Sequence, residues 1–133
     1  MSSFLERYKT NKSFEEEGIW VDFGGGVKVR LTRASSNRSR EVRRRLERQH
    51  ARKMRNQDIP PEIMEKLLIE QLAQAIVLDW DGVTDLSGNS VPCDEQHRRQ
   101  VFTDFPDFRE DVMSASLTKE TFLDEVREEE LGN

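Results

Sequence analysis

Residues 75–85, AIVLDWDGVTD, decide how this chain is read. An apolar run closed by Asp-x-Asp-Gly can present a nucleophilic aspartate for phosphoryl transfer, but only as a buried parallel strand of an open α/β sheet with Asp79 at its end. The residues leading into it carry a different period. From Pro61 onward, Ile63, Met64, Leu67, Leu68, Leu72, Ala75, Ile76 and Val77 recur at steps of three and four, while Glu62, Glu65, Glu70, Gln71 and Gln74 take the other side. That pattern predicts one amphipathic helix running from Pro61 into Trp80. Asp81 and Gly82 then reverse the chain, and Trp80 anchors the turn.

Phosphoryl transfer also needs a cation for the phosphate, a magnesium site and alternating βα units to carry them. The residues after Asp79 read as turns and helices, and Lys119 is their sole lysine. Calcium is excluded in both registers of the loop: starting from Asp79 puts Val83 at a ligand position, and starting from Asp85 puts Gln96 where a bidentate Glu belongs. His50, His97 and the lone Cys93 lack zinc-ligand spacing. No catalytic, cofactor-binding or metal-binding residue is therefore assigned, and the chain is read as a non-enzyme.

Upstream, GIWVDF and VKVRLTR alternate with period two at Ile19, Val21 and Phe23 and at Val27, Val29 and Leu31. Gly24, Gly25 and Gly26 join them, which predicts an N-terminal β-hairpin. A second strand after the glycines rules out a phosphate-binding P-loop, which must open into a helix. Residues 1–17 are polar and are expected to form a flexible arm.

Ser35, Ser36, Asn37 and Ser39 offer N-caps to a polar helix over about residues 39–56, whose apolar stripe is only Val42, Leu46 and Met54. Pro60 and Pro61 end it. DGVTDLSGNSVP is a turn-rich connection, Asp94 opens a short helix, and Pro106 starts another that is expected to continue toward the C-terminus. The expected fold is mainly α, with four to five helices and an N-terminal hairpin in a single domain over residues 18–133.

The 133 residues carry a net charge of -5, but the charge is unevenly spread. Twelve basic residues between Lys28 and Arg55 face only Glu41 and Glu47, whereas residues 104–130 are strongly acidic. An exposed arginine-rich helix seeks an acidic partner: nucleic acid, or an acidic protein surface. No aromatic residue interleaves with these arginines, and no common nucleic-acid recognition motif is present. One cysteine precludes an intrachain disulfide, which fits a reducing compartment, and no apolar run approaches the roughly 20 residues needed to span a bilayer.

Taken in order, GIWVDF, VKVRLTRASSN, a charged helix, an apolar helix running into WDGVTDLSGNSVP, and FPDFREDV resemble the tail assembly chaperones of long-tailed bacteriophages. The most specific piece is the connector, with Trp80, Gly82, Asp85, Gly88 and Pro92. Cys93 departs from the pattern, where Ser or Thr would cap the next helix. The resemblance implies a protein of the infected host cytoplasm, absent from the mature virion. It would bind the tape measure protein, meet the major tail protein, form homo-oligomers and promote tail tube assembly. It would need no cofactor and no membrane. Contact residues are expected at Arg43, Arg44, Arg45, Arg48, Arg52, Leu67 and Leu72. The alternative is a nucleic-acid-binding accessory protein using helix 39–56.

Overall fold

The computed structural model describes residues 3–54 and 59–123. The expected hairpin forms: β1 (Ile19–Gly24) pairs antiparallel with β2 (Val27–Leu31) around the three glycines, all of which have positive φ. Ile19, Val21 and Phe23 of β1 and Val29 and Leu31 of β2 face the core, and Trp20, Asp22, Lys28 and Arg30 take the other face.

The hairpin is only two thirds of the sheet. A third strand, β3 (Val77–Asp81), lies against β2, giving an antiparallel sheet in the order β1-β2-β3. The mainly helical class with a lone hairpin is thus corrected to a helical protein built on a three-stranded sheet. The predicted helix from Pro61 to Trp80 is cut into α5 (Pro61–Gln71), a wide π turn over Leu72–Ile76, and β3.

The cause is a bulge. Val77 pairs with Leu31 but Asp79 pairs with Arg30, so Leu78 is an extra residue in the ladder. It puts Val77 and Trp80 on the same inward face three positions apart, the spacing of a helix. The π turn adds to the resemblance by burying Leu72, Ala73, Ala75 and Ile76 together. Its last carbonyls are satisfied by the residue that follows β2: the Thr32 amide donates to Ile76 O at 2.8 Å and the Thr32 hydroxyl to Ala75 O at 3.2 Å.

Asp79 therefore does sit at a sheet edge, contrary to the helical reading. The strand is antiparallel, however, and the Asp79 carboxylate accepts from the amide of Trp80 at 2.8 Å. The parallel α/β sheet that a nucleophilic aspartate requires is not the sheet found among the described residues.

From Ser3 onward, residues 1–17 are not the unstructured arm expected. They form α1 (Ser3–Tyr8) and α2 (Lys12–Glu17). Asn11 caps α2 through the Phe14 amide, and Glu15 is buried with its carboxylate 2.8 Å from Arg33. Burial pushes the Glu15 carboxyl up, but hydrogen bonds from Thr10 and Arg33 outweigh it and leave its pKa lowered.

The charged helix forms as α3 (Asn37–Gln49), capped by Ser36, with a short α4 (Ala51–Met54) after it. Val42 and Leu46 pack on Ala75 and Leu67. Of the thin stripe predicted for this helix, Val42 and Leu46 are thus buried against α5 and the π turn. Two helices follow the connector, α6 (Glu95–Asp104) and α7 (Pro106–Leu117), and a 3-10 turn over Lys119–Phe122 ends α7. The continuation expected beyond it, and the acidic run 124–130, lie outside the described residues.

Phe102 is fully buried at the centre, edge-on to Trp80 at 6.2 Å and stacked on Phe108 at 5.5 Å. The Trp80 indole N–H donates to Val91 O at 2.8 Å, so the anchor role expected of Trp80 holds, on a strand instead of a helix. Arg99 of α6 grips Glu70 of α5 through two nitrogens at 2.5 and 2.8 Å. The Arg99 hydrogen bonds hold the Glu70 carboxyl below its usual range, and Glu70 in turn raises the Arg99 guanidinium.

Candidate functional site

The residues singled out for partner contact fall into three environments. Leu72 is fully buried at the start of the π turn and belongs to the main core. Leu67 is half-buried on α5 and lines a groove between α3, α5 and α7. The arginines Arg43, Arg44, Arg45, Arg48 and Arg52 are all exposed on α3 and α4.

Their engagements differ. Arg43 Nε lies 3.1 Å from Glu47 on its own helix, and Arg44 donates to Arg40 O at 3.4 Å. Arg45 reaches across to the side-chain carbonyl of Gln74, and Arg38 donates to Gln74 O at 3.3 Å. Arg38 and Arg45 therefore fasten α3 to the π turn. Arg40, Arg44 and Arg48 follow one another at four-residue spacing, which places them along a single outward stripe.

The groove beside this helix has a volume of about 320 Å³. Leu46, Ile59, Met64, Leu67, Leu68, Met113 and Leu117 make its walls, with Arg43, Glu47 and Gln71 at the polar edge. Met64 and Leu117 are both exposed, although each is a large apolar side chain. Met64 belongs to the α5 stripe read from the sequence. Leu68 does too, but Met113 and Leu117 were missed, because MSASL carries too few apolar residues to announce a face.

The connector residues do structural work at measurable positions. Gly82 has φ +81°, and a Cβ there would stand 2.0 Å from the carbonyl oxygen of Gly26, so only glycine lets the connector pass the hairpin tip. Asp85 Oδ1 accepts from the amides of Ser87 and Asn89 at 2.9 and 3.0 Å. Gly88, at φ +82°, closes that turn. Pro92 is exposed just before α6. Cys93 does not cap α6: Asp94 does, accepting from the His97 amide at 2.8 Å. That amide, together with the His97 ring 2.7 Å away, lowers the Asp94 carboxyl. Burial pushes the Cys93 thiol up.

Among the described residues no group of three His, Cys, Asp or Glu side chains could hold a metal ion. No helix among them is long and apolar enough to cross a membrane.

A family model described as YdaY prophage protein matches residues 34–133, from just beyond β2 through both helices that follow the connector. The chain belongs to the YdaY prophage protein family. Its origin is therefore a phage genome. The match takes in every residue lining the α3–α5–α7 groove and leaves out α1, α2 and the hairpin. Comparison with curated proteins and with solved structures yields no significant match.

Proposed function

We propose that this prophage protein is a non-enzymatic tail assembly chaperone that holds a helical segment of the tape measure protein while the tail tube polymerises. The observation that carries the reading is the α3–α5–α7 groove. It is apolar, open to solvent, edged by the Arg43–Glu47 pair of α3, and built partly of methionine. An amphipathic helix docks by laying its apolar face into such a groove. Met64 and Met113 add adaptability, since the flexible thioether side chain repacks around varied partners. Phage origin and the order of segments in the chain support the choice of partner. Host cytoplasm, absence from the virion, contact with the major tail protein and homo-oligomer formation are parts of the same proposal.

The test is direct binding of purified chain to overlapping fragments of the tape measure protein encoded beside it. One helical fragment should bind, Leu117→Glu in the groove should abolish capture, and alanine at Arg44, Arg45 and Arg48 should weaken it. Capture that neither change affects, or no captured fragment at all, overturns the reading.

The stripe of Arg40, Arg44 and Arg48 favours a second reading, a nucleic-acid-binding accessory protein. Titration of labelled DNA and RNA at two salt concentrations separates the two: tight binding that falls steeply with salt supports the second reading.

A further inference from the structure

The connector and the first turn of α7 border a separate and larger groove, with a volume of about 940 Å³. Its floor is apolar, made by Val83, Val91, Val101 and Phe108. At its lips stand Leu86, which is fully exposed, and Phe105, which is more than half exposed. The ionisable residues lining it are Asp85, Asp104, Asp107 and His97, with no Lys or Arg among the lining residues.

Leu86 is held outward. Asp85 N donates to Asn89 O at 2.9 Å, Gly88 N to Asp85 O at 3.0 Å and Val91 N to Val83 O at 2.9 Å, and Thr84 bridges Ser90. A tip closed by this many hydrogen bonds cannot fold its leucine back onto the core, so the apolar side chain stays presented to solvent. Asp85 turns its carboxylate inward to its own loop, and His97 is engaged with Asp94. Asp104, beside the Gln100 amide at 2.9 Å, and Asp107 are left to set the charge of the rim.

We propose that this groove docks a basic amphipathic peptide segment of another protein, with apolar side chains between Leu86 and Phe105 and Lys or Arg toward Asp104 and Asp107. Charge complementarity selects that occupant: an acidic segment would meet two carboxylates with no cation lining the groove. The arginine stripe of a second copy could reach the rim but not fill the floor, because the apolar residues of α3, Val42 and Leu46, are already buried. This site stands independently of the tail-assembly reading.

Fluorescence anisotropy with a short labelled leucine–lysine amphipathic peptide tests it, with the leucine–glutamate counterpart as control. The full chain should bind the lysine peptide and not the glutamate one. D104N/D107N should weaken binding about tenfold, a difference of roughly 1.4 kcal/mol. E110Q/D111N, which removes the same charge from exposed positions of α7 outside the groove, should change it less than about twofold. Leu86→Ser, on an exposed tip, should weaken it about fivefold without altering the unfolding midpoint. Equal losses in the two double variants would mean bulk attraction only and would overturn the site, as would no binding by the wild type. Sedimentation gives the remaining outcome: an oligomer that D104N/D107N converts to monomer means a second copy covers the groove, and the proposal falls.

Discussion

The two ends of α7 border two apolar grooves that differ in electrical character. Met113 and Leu117, near its C-terminus, wall the groove beside the arginines of α3, while Pro106, Asp107 and Phe108, at its start, line the groove rimmed by carboxylates. Phe108 and Met113, the lining residues nearest each other on the helix, stand five positions apart, about 7.5 Å of rise. Apolar walls supply adhesion in both, but the second border is acidic while the first is balanced by the Arg43–Glu47 pair, so charge discriminates between partners mainly at the second. Exposed apolar side chains, Met64 and Leu117 at one groove and Leu86 and Phe105 at the other, are what a docking surface would require.

The sharpest way to break the comparison is Gly82→Ala. A Cβ 2.0 Å from the Gly26 carbonyl combined with a positive φ should cost about 4 kcal/mol, taking backbone strain and overpacking together. Hydrogen exchange should show the connector loosened first, so the acidic groove fails before the α3–α5–α7 groove does. Next in size is Leu72→Ala, which should lower stability by about 3 kcal/mol in urea titration through a core cavity. Leu67→Ala, half-exposed in the groove, should cost no more than about 1.5 kcal/mol but should weaken helix capture as much as any single wall residue. Equal stability losses at 67 and 72 would remove the distinction between groove wall and core.

Glu70→Gln cuts the tie between α6, which lines the acidic groove, and α5, which lines the other. Loss of the paired hydrogen bonds should cost about 1–2 kcal/mol at neutral pH. The sign with pH follows from the lowered carboxyl: its contribution is complete above the unfolded value of 4.5 and is lost as pH falls through the lower folded value. The difference between wild type and variant should therefore shrink steadily below pH 4.5 in unfolding experiments. The smallest effect belongs to Arg48→Ala, exposed on α3, whose stability change should stay within about 0.5 kcal/mol while capture of an acidic partner declines.

How far the fold could be read depended on whether local pattern and tertiary pairing agreed. The hairpin was legible because Ile19, Val21 and Phe23 and their partners alternate without interruption, and Asp94 and Pro106 marked helix starts where they stand. β3 was not legible, because the bulge at Leu78 gives Val77 and Trp80 helical spacing and no local signal distinguishes that from a helix. Two short N-terminal helices were missed for a related reason. Their order comes from long-range partners such as Arg33 for Glu15 and Phe122 O for the Asn11 amide, which no reading of residues 1–17 contains.

The candidate sites divide in the same way. Leu67 and Arg43 line the α3–α5–α7 groove, whereas Leu72, identical in pattern to Leu67, lies in the core. Leu86 carried a faint signal, a single large apolar residue inside a turn of Asp, Ser, Gly and Asn.

The sequence by itself determined the charge asymmetry, the hairpin, the helix starts and the turn at Asp85 and Gly88, because each rests on backbone or side-chain chemistry within a few residues. Only the tertiary structure decided that AIVLDWDGVTD is the turn and edge strand of a sheet. The ladder to β2 and the carbonyls taken up by Thr32 outweigh a helical period that is real but local.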